Sequence, residues 1–101
     1  MKSKSKHWVP KQVFELGDIV LMDDVNEMLE EDIRFQPILG RTINTFSTGK
    51  WGKVDEKTAW KNDMNVKRGE GRLMGLFETQ FGMLELVNTW NRERTEVRLK
   101  Q

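Results

Sequence analysis

Met83-Leu84-Glu85-Leu86-Val87-Asn88-Thr89-Trp90 and, beyond the polar turn Asn91-Arg92-Glu93-Arg94, Thr95-Glu96-Val97-Arg98-Leu99 are the stretches whose reading decides the fold. Both repeat with period two, as a strand buried on one side must. The first is predicted to put Leu84, Leu86 and Trp90 on one side, and the second to turn Val97 and Leu99 inward. Upstream, Arg72 to Thr79 is a continuous mixed run joined to them by Gln80-Phe81-Gly82, a hairpin-turn signal. Three consecutive antiparallel strands are expected from residue 72 to the end.

The first two thirds have a helical period instead. Asp18-Ile19-Val20-Leu21-Met22 is a short β-branched run suited to one strand. Asp24 then precedes Glu27 by three residues, the spacing of a capping box. Val25, Met28, Leu29 and Ile33 form one apolar stripe, which predicts a first helix ending near Phe35, just before Pro37. Pro37 is placed to open a second helix with Ile38, Leu39, Ile43 and Phe46 on one face, closed by Ser47-Thr48-Gly49. A third is predicted over about Glu56 to Val66, with Asp55 as N-cap and Gly69 or Gly71 beyond its end. The order β-α-α-α-β-β-β implies an α+β two-layer sandwich: a mainly antiparallel sheet of about four strands with helices on one face.

Trp51-Gly52-Lys53-Val54-Asp55-Glu56, with Trp60-Lys61-Asn62-Asp63 after it, is the stretch generic folding explains least. Both tryptophans fit inward-facing positions, and Trp60 shares a helix face with Met64.

Composition bounds what such a fold can do. At 101 residues, 37% hydrophobic and 33% charged, the chain is one domain with a modest core; residues 1–12 read as a flexible basic arm and 13–101 as the domain. No run approaches a membrane span, and the basic start lacks the apolar stretch of a secretory signal. The absence of cysteine suits a reducing cytosol and removes thiolate sites. A cytoplasmic protein is expected, and a homodimer is compatible with the sequence. The one histidine, His7, lies in the arm, so His-based acid–base chemistry, a Ser-His-Asp triad and a multi-His metal site are not expected. Gly69-Glu70-Gly71 lacks the setting of a phosphate loop and reads as a helix-to-strand turn. Glu30, Glu31 and Asp32 are consecutive on a helix and diverge, which does not make a cation site. Neither an enzyme nor a cofactor or metal is expected.

Charge points to binding. The net charge of +1 conceals four lysines and no acid in residues 1–12, and eight acids with no lysine or arginine in residues 13–32. The remainder is basic, so two differently charged faces are expected rather than the uniformly acidic surface of a DNA mimic. One candidate partner surface is the acidic helix, with Asp23, Asp24, Glu27, Glu30 and Glu31. The other combines Lys50, Lys53, Lys57 and Lys61 with Trp51 and Trp60, and would suit phosphate contact with base stacking if the indoles were exposed. Core tryptophans with lysines solvating the helix is the plainer account of that second group. Trp8, in the arm, could pack back or dock on a partner.

The pattern Trp51, Gly52, Asp55, Glu56, Asn62, Asp63, then Gly71, Arg72, Leu73, then Arg92, Thr95, Val97 and Leu99 resembles small proteins carried by bacterial plasmids and phages, over residues 14–99. The chain departs from that pattern in its extra lysines and Trp60 and in its acidic first helix. The resemblance implies a mobile-element accessory protein and assigns no catalytic residue. Proteins of that origin often bind host machinery. The expected function is therefore modulation of a host protein, such as a nucleic-acid-handling effector, as an anti-CRISPR or anti-restriction inhibitor. The alternative is a small nucleic-acid-binding or regulatory protein using residues 50–61, with direct nucleic-acid binding ranked second because the acidic helix would repel phosphates.

Overall fold

The computed structural model describes residues 11–100, so His7, Trp8 and most of the basic arm lie outside the described residues. β1 (Asp18–Leu21) leads through Met22 into α1 (Asp23–Glu31), followed by α2 (Phe35–Ser47), α3 (Glu56–Arg68), β2 (Leu73–Thr79), β3 (Gly82–Asn88) and β4 (Arg94–Lys100). The sheet is mixed, in the order β1-β4-β3-β2, with β1 parallel to β4 and the other pairs antiparallel. The fold is thus the expected α+β arrangement. The N-terminal strand reaches past the whole helical segment to pair with the last strand, so Ile19 lies beside Thr95 and Leu21 beside Val97.

Register places the core. Leu86 lies between Gly75 and Val97, and Leu84 between Phe77 and Leu99, so these side chains share the face to which α1 and α2 deliver Val25, Phe35, Leu39 and Phe46. Gly75 leaves the room for this packing, because a Cβ there would stand 2.7 Å from the Phe46 ring. Phe14 closes the cluster, edge-on to Phe46 and stacked on Trp51 at 6.0 Å between ring centres. Residues of one parity along β3 are therefore inward, as the alternation implied.

Four local expectations are corrected. Asp24 does not cap α1: the helix starts two residues earlier than that cap would place it, with Met22 as N-cap and the Val25 and Asn26 N–H groups donating to its carbonyl. β1 runs so directly into α1 that both Asp23 and Asp24 fall inside the first turn, beside the positive end of the helix dipole. α1 ends at Glu31 rather than near Phe35, because Asp32 turns extended and accepts from the Arg34 backbone N–H and side chain. Ile33 therefore leaves the apolar stripe and is 78% exposed in the α1–α2 turn, while Phe35 becomes the first residue of α2 and is fully buried. Trp90 is 63% exposed, since β3 stops at Asn88 and the chain turns before the alternation reaches it.

Arg92 locks that turn. In the left-handed region at φ 65°, it aims its guanidinium back across the molecule. Nη1 donates to the carbonyls of Gly71 and Thr89 and to Asn88 Oδ1, and Nη2 donates to the Asn65 carbonyl at the end of α3. Burial pushes its pKa below the usual arginine value. Its acceptors are carbonyl dipoles, which suits a cation at a helix C-terminus.

Candidate functional site

The Trp51–Asp63 segment seals the outer edge of β2. β2 borders the sheet, and its even-numbered residues turn their peptide groups away from β3. Two are paired by this segment. Asn62, 2% exposed, donates from Nδ2 to the Met74 carbonyl at 2.8 Å and accepts from the Met74 N–H at Oδ1 at 3.2 Å. The Leu76 N–H donates to the Trp51 carbonyl, and the Lys53 N–H donates to the Leu76 carbonyl. Gly52 makes this possible: at φ 75° it lies so close to β2 that a Cβ would fall 1.8 Å from the Leu76 oxygen. The Trp51 indole N–H donates to Asp63 at 2.9 Å, which fixes the loop to the helix. Asp55 caps α3 as expected, accepting from the Thr58 N–H, which holds its carboxyl below the ordinary value.

These bonds set the rotation of α3 and correct the expectation for Trp60. Asn62 faces the strand, so Ala59 and Val66 turn inward with it. Trp51 is buried at 6% exposure, but Trp60 points to solvent at 63%, and Met64 is exposed with it. Apolarity alone would have turned the Trp60/Met64 side inward. The unpaired peptide groups of a strand edge demand a donor and an acceptor, and only the Asn62 side of the helix supplies both.

The outer face of α3 that results carries Lys57, Trp60, Lys61, Met64, Lys67 and Arg68, at offsets of 0, 3, 4, 7, 10 and 11 along the helix, within one stripe about 16 Å long. All six are exposed. The acids near the stripe are the cap Asp55, whose carboxylate feels Lys57 and Lys61, Glu56 in the first turn, and Asp63, which the Trp51 indole engages. Arg68 reaches Glu70 at 3.6 Å; Lys57, Lys61 and Lys67 make no ion pair among the described residues. The structure thus gathers Lys57 and Lys61 from the predicted basic group. It does not gather Lys53, whose ammonium binds Glu78 beside β2 at 2.6 Å, or Lys50, exposed in the loop before Trp51. Lys67 and Arg68, beyond the expected helix end near Val66, belong to the stripe because α3 continues to Arg68.

The acidic group lies elsewhere. α1 contacts β4, on the β1 side of the sheet, whereas α3 contacts β2 at the opposite edge. Glu27, Glu30 and Glu31 are exposed and make no ion pair among the described residues. Asp23 is exposed as well, and Asp24 is half-buried, with Oδ1 shielded from solvent and without a hydrogen-bond partner. Glu85 is a further carboxylate: it is buried between the sheet's side chains and paired with Arg98 and, at 3.6 Å, Lys100.

No family model, curated protein or solved structure matches this chain. The chemistry must therefore be read from the side chains. Among the described residues, no group of three or more His, Cys, Asp or Glu could hold a metal ion, and no helix is long and apolar enough to cross a membrane. What the surface offers is one cationic helix face with an exposed indole and one anionic helix face.

Proposed function

We propose that this chain is a non-enzymatic accessory protein that binds nucleic acid through the outer face of α3. The observation that carries this reading is the exposure of Trp60 within a row of cations: the ring, 63% exposed, shares its helix face with the exposed Met64 and with Lys57 and Lys61. Lysines neutralise phosphates, and an indole offers a stacking surface to a base. The acidic helix does not cancel the attraction. β4, on which α1 packs, is two strand spacings, about 10 Å, from β2, beyond the ~8 Å screening length at physiological salt. A mobile-element origin, as the sequence resemblance implies, fits a small binding protein of this kind.

Binding should be weak to moderate and steeply salt-dependent. Log affinity is expected to fall with log salt by about 0.9 for each duplex phosphate neutralised, or about 0.7 on a single strand. Anisotropy titrations of labelled nucleic acid across a salt series measure the slope. The triple substitution Lys57→Glu, Lys61→Glu, Lys67→Glu should abolish binding while the chain stays folded by circular dichroism. A folded triple variant that binds like the parent chain would refute the reading.

The exposed, unpaired Glu27, Glu30 and Glu31 favour a second reading, in which α1 docks on a basic host protein such as a nucleic-acid-handling effector, as an anti-CRISPR or anti-restriction inhibitor would. Reversing the three to lysine should then slow association without unfolding the chain.

A further inference from the structure

We infer that the occupant of the α3 face is a single-stranded nucleic acid, with an unpaired base stacked on Trp60 and the flanking phosphates on Lys57, Lys61 and Lys67. This rests on the nucleic-acid reading above and narrows it. The stripe is poorly built for a duplex. A helix that reads the major groove leads with its N-terminal residues, and here those are Asp55, already engaged as a cap, and Glu56. Its centre presents Trp60 and Met64, which have no acceptor–donor pair to read a base edge, in place of the Asn, Gln or Arg that direct readout uses. In a duplex the faces of the bases are already stacked on one another, so an exposed indole would gain nothing there.

A single strand reverses each of these points. Unpaired bases present their faces, and stacking on an aromatic side chain tolerates any sequence. Trp60 is preceded by Lys57, followed directly by Lys61, and continued by Met64 one turn on, so a ring, an apolar neighbour and two cations lie within two helical turns. Lys67 lies two turns from Trp60 and extends the cationic track. Little sequence preference follows, because no amide or carboxylate on the stripe is placed to read a base edge.

The test uses the intact chain, a labelled oligodeoxythymidine of about 12 nucleotides and a mixed-sequence duplex of the same length, within the usual single-strand site size. Tighter binding of the single strand, by about tenfold, is expected. Trp60→Ala should weaken single-strand binding about tenfold and leave duplex binding and the melting temperature unchanged, while Trp60→Phe should keep most of the affinity. If Trp60→Ala binds the single strand as the parent does, or if the duplex binds as tightly while the lysine reversals still abolish binding to both, the stacking inference is overturned and the electrostatic reading survives. If neither nucleic acid binds in a salt-sensitive way, both fall.

Discussion

The Asn62 amide takes the place of a peptide group at the edge of β2, and the balance of donors and acceptors there follows from it. Asn62→Ala would leave the Met74 N–H and carbonyl without partners beneath a packed helix, at a cost of about 1–3 kcal/mol; urea unfolding should report it. The two tryptophans of the same segment are expected to behave oppositely. Trp51→Ala removes a ring that packs on Phe14 and Phe46 and a donor to Asp63, and should cost about 3–5 kcal/mol. Trp60→Ala should shift stability by under about 0.5 kcal/mol, as exposed substitutions do. Parallel thermal melts of the two variants check both values. At the end of α1, the Arg34 side chain, with its backbone N–H, holds Asp32 down to about 2 from an ordinary 3.8. A depressed carboxylate pKa stabilises the fold above the ordinary value and loses that contribution as pH falls through the folded one. The Asp32 contribution should therefore vanish between about pH 4 and about pH 2, and Arg34→Ala should return its midpoint toward 3.8 in an NMR titration.

Among the elements, the three C-terminal strands were legible because their pattern is local: alternation in β3 and β4, the turn signal Gln80-Phe81-Gly82 and the polar turn from Asn91 point to the strands and their antiparallel pairing. The N-cap at Asp55 and the left-handed Gly69 after α3 were legible for the same reason. The start of α1 was not, because it depends on where β1 hands over the chain, and Asp24 and Glu27 have capping-box spacing without occupying its positions. The rotation of α3 was hidden for a deeper reason. Its inward side is chosen by hydrogen bonding to Met74, twelve residues beyond Asn62, which no periodicity within the helix encodes. Of the candidate sites, the cationic row was half visible through Lys57 and Lys61; the exposure of Trp60, which gives the row its chemistry, was not. Most of the signature behind the resemblance turns out to serve the fold, with Trp51, Gly52, Asn62 and Asp63 at the sheet edge and Arg92 holding the Gly71 carbonyl. Gly52→Ala is accordingly expected to be among the most damaging single substitutions, since the added carbon meets the Leu76 carbonyl and the backbone stands at a positive φ. A cooperative unfolding transition at the parent midpoint would contradict it.

On the scale of the whole molecule, α1 and α3 give the described residues two differently charged sides, acidic over β4 and basic beside β2, in a chain with a net charge of only +1. Near-neutral net charge therefore says little about either face at physiological salt. The acidic end should be felt at α3 only when screening weakens. At about 0.01 M salt the screening length of roughly 30 Å spans the sheet, so the gain in nucleic-acid affinity on lowering salt should flatten there. Removing the charge of Glu27, Glu30 and Glu31 as glutamines should restore a straight line in the same anisotropy series.

β4 occupies the middle of the sheet and joins β1 to β3, yet it is translated after every strand it touches. On the ribosome, β1 has no neighbour until β4 emerges, and the β2–β3 hairpin waits beside an empty lane. The helices can form early, but Val25 and Phe35 have no Val97 or Leu84 to close on. Completion of the sheet is thus deferred until β4 has emerged. A chain interrupted anywhere before Arg94 lacks the one strand that ties β1 to the β2–β3 hairpin among the described residues.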